Sequence, residues 1–277
     1  MKKVSSIIEE KNVYDLEILI RDTALMKSVT GKTGLINIKT NEIVGSFDKF
    51  YTIYSPDDNF YFQEKEVEDE SKDYFKRKKY VRIYDALHEK MVVDGWLVVK
   101  KIDSYYHLAV LQDPNTKKYH LFHEDKYRTA LNIFETEYDD IQHLYDYCGE
   151  KHLILTKNGK KAIYSTKKGF TTPFEYDDIE RIDEATIFTQ GKYKFFTCLK
   201  DTKENEIKSP LFEEISCDNN NYRLLYCKRN NMIAIYYIEQ WHCRLLFTAP
   251  ACDDIKCVRS IDGSSYSRLA SEYIFLA

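Results

Sequence analysis

Glycine and proline are scarce, with nine and five among 277 residues. That excludes collagen-like and low-complexity chains. No linker rich in either residue divides the sequence, so residues 1–277 read as a single domain. Long apolar runs are missing as well. The longest, such as DLEILI and HLILT, fall far short of the roughly 20 residues a membrane helix needs. The first residues, MKKVSSIIEEKNVYD, carry two lysines but no apolar segment of the kind a secretory signal requires. The expectation is a cytoplasmic protein with no membrane partner.

Charge of one sign is absent too. Forty-one basic and 45 acidic residues are interspersed, giving a net charge of −4. Nucleic acid is therefore a poor partner. The seven cysteines are odd in number and form no Cys-x-x-Cys pair, and six of them follow residue 190. This is the usage of reduced thiols in strands rather than of a disulfide framework or a zinc site. No nucleophile elbow, P-loop, dinucleotide fingerprint or His-Glu-x-x-His helix occurs, so no reaction and no cofactor is announced. Asn-Gly-Lys-Lys-Ala at 158–162 and Gly-Lys-Thr-Gly at 31–34 resemble fragments of phosphate loops but precede strands, and both read as hairpin turns.

Aromatic residues, by contrast, are plentiful: 23 tyrosines and 15 phenylalanines. Such a composition favours strands. The stretch Pro173–Asp183, PFEYDDIERID, raises the question of a catalytic carboxylate pair. Its pattern of apolar residue, acid, any residue and apolar residue recurs at Tyr138, Tyr176, Phe212 and Cys252, and more loosely at Phe47 and Val93. A seventh copy near Tyr14 slips by one residue. Short apolar strands lie between these anchors, about four to a unit. A period of roughly 40 residues with four strands is the pattern of a β-propeller blade. The expected fold is all-β, a propeller of six or seven four-stranded repeats of 36–46 residues, with the strand at Tyr14 pairing with the C-terminal EYIFLA. A β-solenoid is the alternative. Residues 3–12 read as a short helix, and the charged run at 64–79 as a solvated loop or short surface helix.

The repeats resemble the WG-repeat (KWG-repeat) family of bacterial proteins. The resemblance rests on Gly31, Lys32, Gly34, Ile36, Ile43 and Phe47. It continues through Gly159, Lys160, Ile163, Gly169, Pro173, Tyr176 and Asp177, and then through Gly191, Lys192, Pro210 and Phe212. It covers roughly residues 31–256, and the Trp-Gly pair that names the family is absent throughout. The resemblance implies a binding or scaffold module and no reaction.

The acids Asp48, Asp94, Asp139, Asp177, Glu213 and Asp253 recur once per unit, whereas a catalytic dyad is needed once. An architectural role follows, the carboxylate accepting N–H groups one or two residues on. The sharper alternative is a ring of acids holding a cation. His120 and His123 differ by an odd number in a strand and face opposite sides, which argues against a shared metal with Glu124 and Asp125. Trp96, Trp241 and His242 are the candidate binding residues, and Cys243 beside His242 makes no nucleophile pair. Two function classes stand: a non-enzymatic interaction module for another protein, such as a bacterial immunity or effector-binding protein, and a propeller-type carbohydrate-active enzyme or cation- or ligand-binding protein.

Overall fold

The computed structural model describes residues 13–18, 22–28, 33–40, 42–47, 60–66, 78–85, 88, 90–103, 107–124, 134–198, 207–218, 221–239, 242–250, 256–261 and 272–276. The helix expected at 3–12 lies outside them. The named elements are all strands, in antiparallel meanders. The chain falls into two compact units, Met1–Ile141 and Gln142–Ala277, although the sequence offers no linker between them. Among the described residues, no helix is long and apolar enough to cross a membrane.

The first unit opens with a four-stranded sheet, β1 (Val13–Ile18), β2 (Thr23–Ser28), β3 (Thr33–Asn37) and β4 (Glu42–Phe47). Ala24, Met26 and Ile36 form its small buried cluster. A five-stranded sheet follows: β5 (Phe60–Glu66), β6 (Lys79–Asp85), β7 (Lys90–Lys101), β8 (Leu108–Gln112) and β9 (Tyr119–His123). Alternate residues of its strands meet on one face, because successive side chains leave opposite faces. Phe60 and Phe62, Val81 and Ile83, and Ala109 and Leu111 meet Phe122 and Phe134 in one core. Phe122 stands edge-on to Phe60, Phe62 and Phe134, with ring centroids 5.5–5.7 Å apart. Such edge-to-face contacts add to the area buried. Strand β7 is twelve residues long and its ladders slip register at three places. Gly95 sits there at φ 73°, a backbone that glycine alone adopts at no cost.

Glu64 departs from the sequence reading. Expected at the edge of a solvated charge run, it is the fifth residue of β5 and is buried. Lys101 Nζ lies 2.6 Å and Lys79 Nζ 3.6 Å from its carboxylate. Two cations offset the cost of removing the charge from water.

The second unit begins within β10 (Asp140–Tyr147), which pairs with β11 (Glu150–Lys157), β12 (Lys160–Ser165) and β13 (Gly169–Phe170). Two more four-stranded sheets follow. One is β14 (Asp178–Ile182), β15 (Ala185–Gln190), β16 (Tyr193–Cys198) and β17 (Ile207–Lys208). The other is β18 (Glu214–Asp218), β19 (Asn221–Arg229), β20 (Met232–Glu239) and β21 (His242–Pro250). A two-stranded ladder, β22 (Lys256–Ile261) with β23 (Glu272–Leu276), completes the described chain. The expected strand at Tyr14 is β1 and the C-terminal strand is β23. Each has one ladder neighbour among the described residues, β2 and β22 respectively, so the expected pairing of the two is not among these ladders.

Tight hairpins set the register. Asn158 and Gly159, at φ 53° and 71°, connect β11 to β12, and Asn230 and Asn231, at 49° and 60°, connect β19 to β20. Positive φ at both central residues gives the turn whose twist matches the strands. Inner strands are buried on both faces. Leu153, Ile154 and Leu155 of β11 are all buried, which is why HLILT is a continuous apolar run rather than an alternating one.

Candidate functional site

The repeated acids recur at the starts of three successive sheets. Tyr138, Tyr176 and Phe212 are buried and stand just ahead of β10, β14 and β18. Each makes an isolated antiparallel bridge back to the preceding sheet: to Tyr119, Lys161 and Lys194 in turn. At Tyr138 and Phe212 both backbone hydrogen bonds form, at 2.7–3.0 Å, while Tyr176 accepts from the Lys161 N–H at 2.8 Å. Tyr176 and Phe212 thereby stitch the starts of β14 and β18 to an inner strand of the sheet before, and Tyr138 bridges back to β9. Burial pushes the Tyr138 hydroxyl up to about 12, so it stays a neutral phenol.

The acid after each anchor follows from that bridge. Asp139 sits across from Lys118, and Asp177 across from Lys160, each with Nζ to Oδ1 at 2.5 Å. Asp177 also accepts the Gly191 N–H at 2.6 Å. Both contacts hold its carboxyl below the usual range, the lysine first. The Asp139 carboxylate likewise raises Lys118. At the third junction the register brings Tyr193, not a lysine, to the place beside Glu213. The local turn bond expected of Asp139 and Asp177 is made instead by the acid that follows each: Asp140 and Asp178 accept the N–H of Ile141 and Ile179, one residue on, at 2.9 and 3.0 Å.

Asp94 belongs elsewhere. It lies in the interior of β7, exposed, with Arg82 Nε of the neighbouring strand on its Oδ1. The looser copies at Phe47 and Val93 are thus within strands rather than ahead of them. Asp48, Cys252 and Asp253 lie outside the described residues. Among the described residues, no group of three or more His, Cys, Asp or Glu could share a metal ion.

Trp96 is half-buried against the aromatic core of the five-stranded sheet, 4.5 Å from the His120 ring and 5.6 Å from Phe134. His120 donates from Nδ1 to the Phe134 carbonyl at 2.8 Å. His123 is buried and Glu124 pairs with His107. Asp125 and Trp241 lie outside the described residues, as does the side chain of His242.

One feature had no sequence signal, a buried polar cluster in the sheet β10–β13. His152 stacks on Tyr145 with centroids 4.3 Å apart, and the Arg181 guanidinium lies 4.0 Å from the centroid of that same Tyr145 ring. Glu150 bridges the Ser165 hydroxyl and, at 3.5 Å, His152 Nε2. Burial pulls the His152 pKa down, against the raising field of Glu150. Serine, histidine and acid are all present, yet the acid stands between the other two. Ser165 donates to Glu150 rather than to His152, so the arrangement is not a nucleophilic Ser-His-acid triad. Its order comes from pairing across the β11–β12 ladder, where His152 faces Ser165, thirteen residues on, and no local pattern displays that.

Among the described residues, Val99, Met232 and Leu245 are exposed within strands, and Phe170 and Leu211 are exposed where the chain passes from one sheet to the next. Phe170, 43% exposed, ends β13 and touches Tyr164 and Phe174, with centroids 5.5 and 5.4 Å away. Leu211, also 43% exposed, lies between β17 and β18.

No family model and no curated protein matches the chain. Among solved structures it is similar to the β-propeller domain of Cps50 (Swd1) of Myceliophteria thermophila, at 11% identity. That match covers 86% of this chain and 88% of the other, with a TM-score of 0.25. It is also similar to KlAtg21, solved in complex with the coiled coil of AgAtg16, at 9% identity. Here 86% of this chain and 70% of the other are covered, with a TM-score of 0.23.

Proposed function

We propose that this chain is a non-enzymatic interaction module that binds another protein, with WG-type repeats arranged as the blades of a β-propeller. The observation that carries the reading is the exposure of Phe170, at the end of β13, and of Leu211, between β17 and β18. Apolar and aromatic side chains are the anchors of protein interfaces, and exposing them costs a chain solubility unless something covers them. The recurring acids, meanwhile, are engaged within the fold: Asp139 and Asp177 with lysines, Asp94 with Arg82. The near-neutral, interspersed charge also favours a protein over nucleic acid. An immunity or effector-neutralising role fits a module of this kind.

The test is capture of partners from the lysate of the source cells by the tagged full chain. The wild type is compared with Phe170→Ser/Leu211→Ser and with an untagged control. The reading expects one stoichiometric, salt-resistant protein that the double variant loses and that binds the purified wild type directly. Capture that the variant retains, or a blank with wild type, counts against it.

A further inference from the structure

One histidine of the first unit is clamped by a buried acid and open to solvent. His88 lies between β6 and β7, and its side chain is 52% exposed. Asp85, the last residue of β6, is wholly buried, and its carboxylate fixes His88 at two points. Oδ1 accepts the His88 backbone N–H at 3.2 Å, and Oδ2 lies 2.5 Å from ring Nδ1. An ionised carboxylate only accepts, so Nδ1 carries the hydrogen. The lone pair of the neutral ring is therefore on Nε2, the nitrogen remote from that contact, which has no partner among the described residues. Lys90, exposed and directly across the ladder from Asp85, brings a cation to the same turn. The other described histidine side chains lack this combination. His120, His123 and His152 are buried. His143 gives its Nε2 to Asp146 at 2.6 Å, which leaves only Nδ1, crowded by its own Cβ. His107 is tied through Nδ1 to Glu124 in the same sense, but its side chain is 30% exposed.

We propose that His88 Nε2 is a phosphoryl-acceptor site, modified by small acyl phosphates, with Asp85 as its positioning residue. The Nε2 lone pair attacks phosphorus. The N–P bond forms as the bond from phosphorus to the acyl oxygen breaks, and the carboxylate leaves with that electron pair, so no proton has to move. The ring becomes a cation that keeps its Nδ1 hydrogen on Asp85. A charge-assisted hydrogen bond to the buried carboxylate then offsets the charge as it develops. Lys90 at the same turn favours an electrophile that is itself an anion.

The full chain is incubated with acetyl phosphate, once folded and once unfolded in urea, and mapped by mass spectrometry under conditions that spare the N–P bond. Trypsin separates His88 on Ile83–Lys90 from His107 on Ile102–Lys117 and His143 on Thr129–Lys151. In the folded chain His88 is expected to label ahead of every other histidine, and phosphorus NMR to show the Nε2 isomer alone. In urea that lead is lost. Asp85→Asn, shown to be folded by circular dichroism, should cut the His88 label and bring in the Nδ1 isomer, and the comparison of folded with unfolded wild type needs no variant. The proposal is overturned if His88 stays unlabelled, if His107 or His143 labels as fast, or if the lead of His88 survives in urea. An Nδ1 product in the wild type, or a folded Asp85→Asn chain that labels as the wild type does, overturns the role given to Asp85.

Discussion

The sheet β5–β9 and the sheet β10–β13 are both antiparallel meanders, yet they are held in different ways. The first is built on rings: Phe60, Phe62, Phe122 and Phe134 fill its core, and Trp96 closes over His120. Its strand β7 is twelve residues long, and the register slips repeatedly around it. The second is regular. It carries a two-residue turn between β11 and β12, an ungapped ladder between them, and a buried polar cluster of Glu150, His152 and Ser165. Aromatic packing tolerates an irregular ladder, because rings make contact over a wide area. A buried polar cluster needs each partner within hydrogen-bond reach, and it rests on an exact register.

The largest expected effect lies on the aromatic side of this contrast. Phe122→Ala removes a fully buried ring that touches three others. It should cost ~3–5 kcal/mol in urea unfolding. Glu150→Ala in the other sheet leaves the buried Ser165 hydroxyl and His152 without their shared acceptor. We expect roughly 1–3 kcal/mol by the same measurement. Were the two losses equal, or reversed, the contrast would fail.

A pH series sharpens it. The folded pKa of His152 is depressed by burial, so the unfolded chain takes up the proton first. Stability from this group is full above the ordinary histidine value, ~6.5, and is lost as pH falls from there through the folded value. His152→Phe should flatten that part of the profile. An unchanged slope would remove His152 from the account.

Gly159→Ala places a side chain at φ 71° in the β11–β12 turn, where a Cβ meets no neighbour but the backbone is strained. The expected cost is about 1–2 kcal/mol. The smallest effect belongs to Asp177→Asn. The Lys160 pair is exposed, so the melting temperature should move less than for any variant above, and the difference should vanish in high salt.

The legibility of the chain follows the same divide. In the second unit the sheets β10–β13, β14–β17 and β18–β21 begin 38 and 36 residues apart. The spacing of Tyr138, Tyr176 and Phe212 is the same, because each anchor bridges backward immediately ahead of its sheet. Turn chemistry was equally plain at Asn158-Gly159. Asp94 shows why the first unit was harder to read. It shares the apolar-acid pattern of Asp177, but pattern alone does not tell the start of a sheet from the middle of a twelve-residue strand. Glu64 was missed because its partners, Lys79 and Lys101, come from other strands. The recurrence of the acids was legible, whereas their lysine partners were not: Lys118–Asp139 and Lys160–Asp177 span 21 and 17 residues.

The most direct test of the central claim is a side-by-side capture from source-cell lysate with three full-length baits: wild type, Asp139→Asn/Asp177→Asn, and Phe170→Ser/Leu211→Ser. The account predicts one stoichiometric partner with wild type, the same partner with the acid variant, and none with the apolar variant. A partner lost with the acids and kept without Phe170 and Leu211 would contradict it.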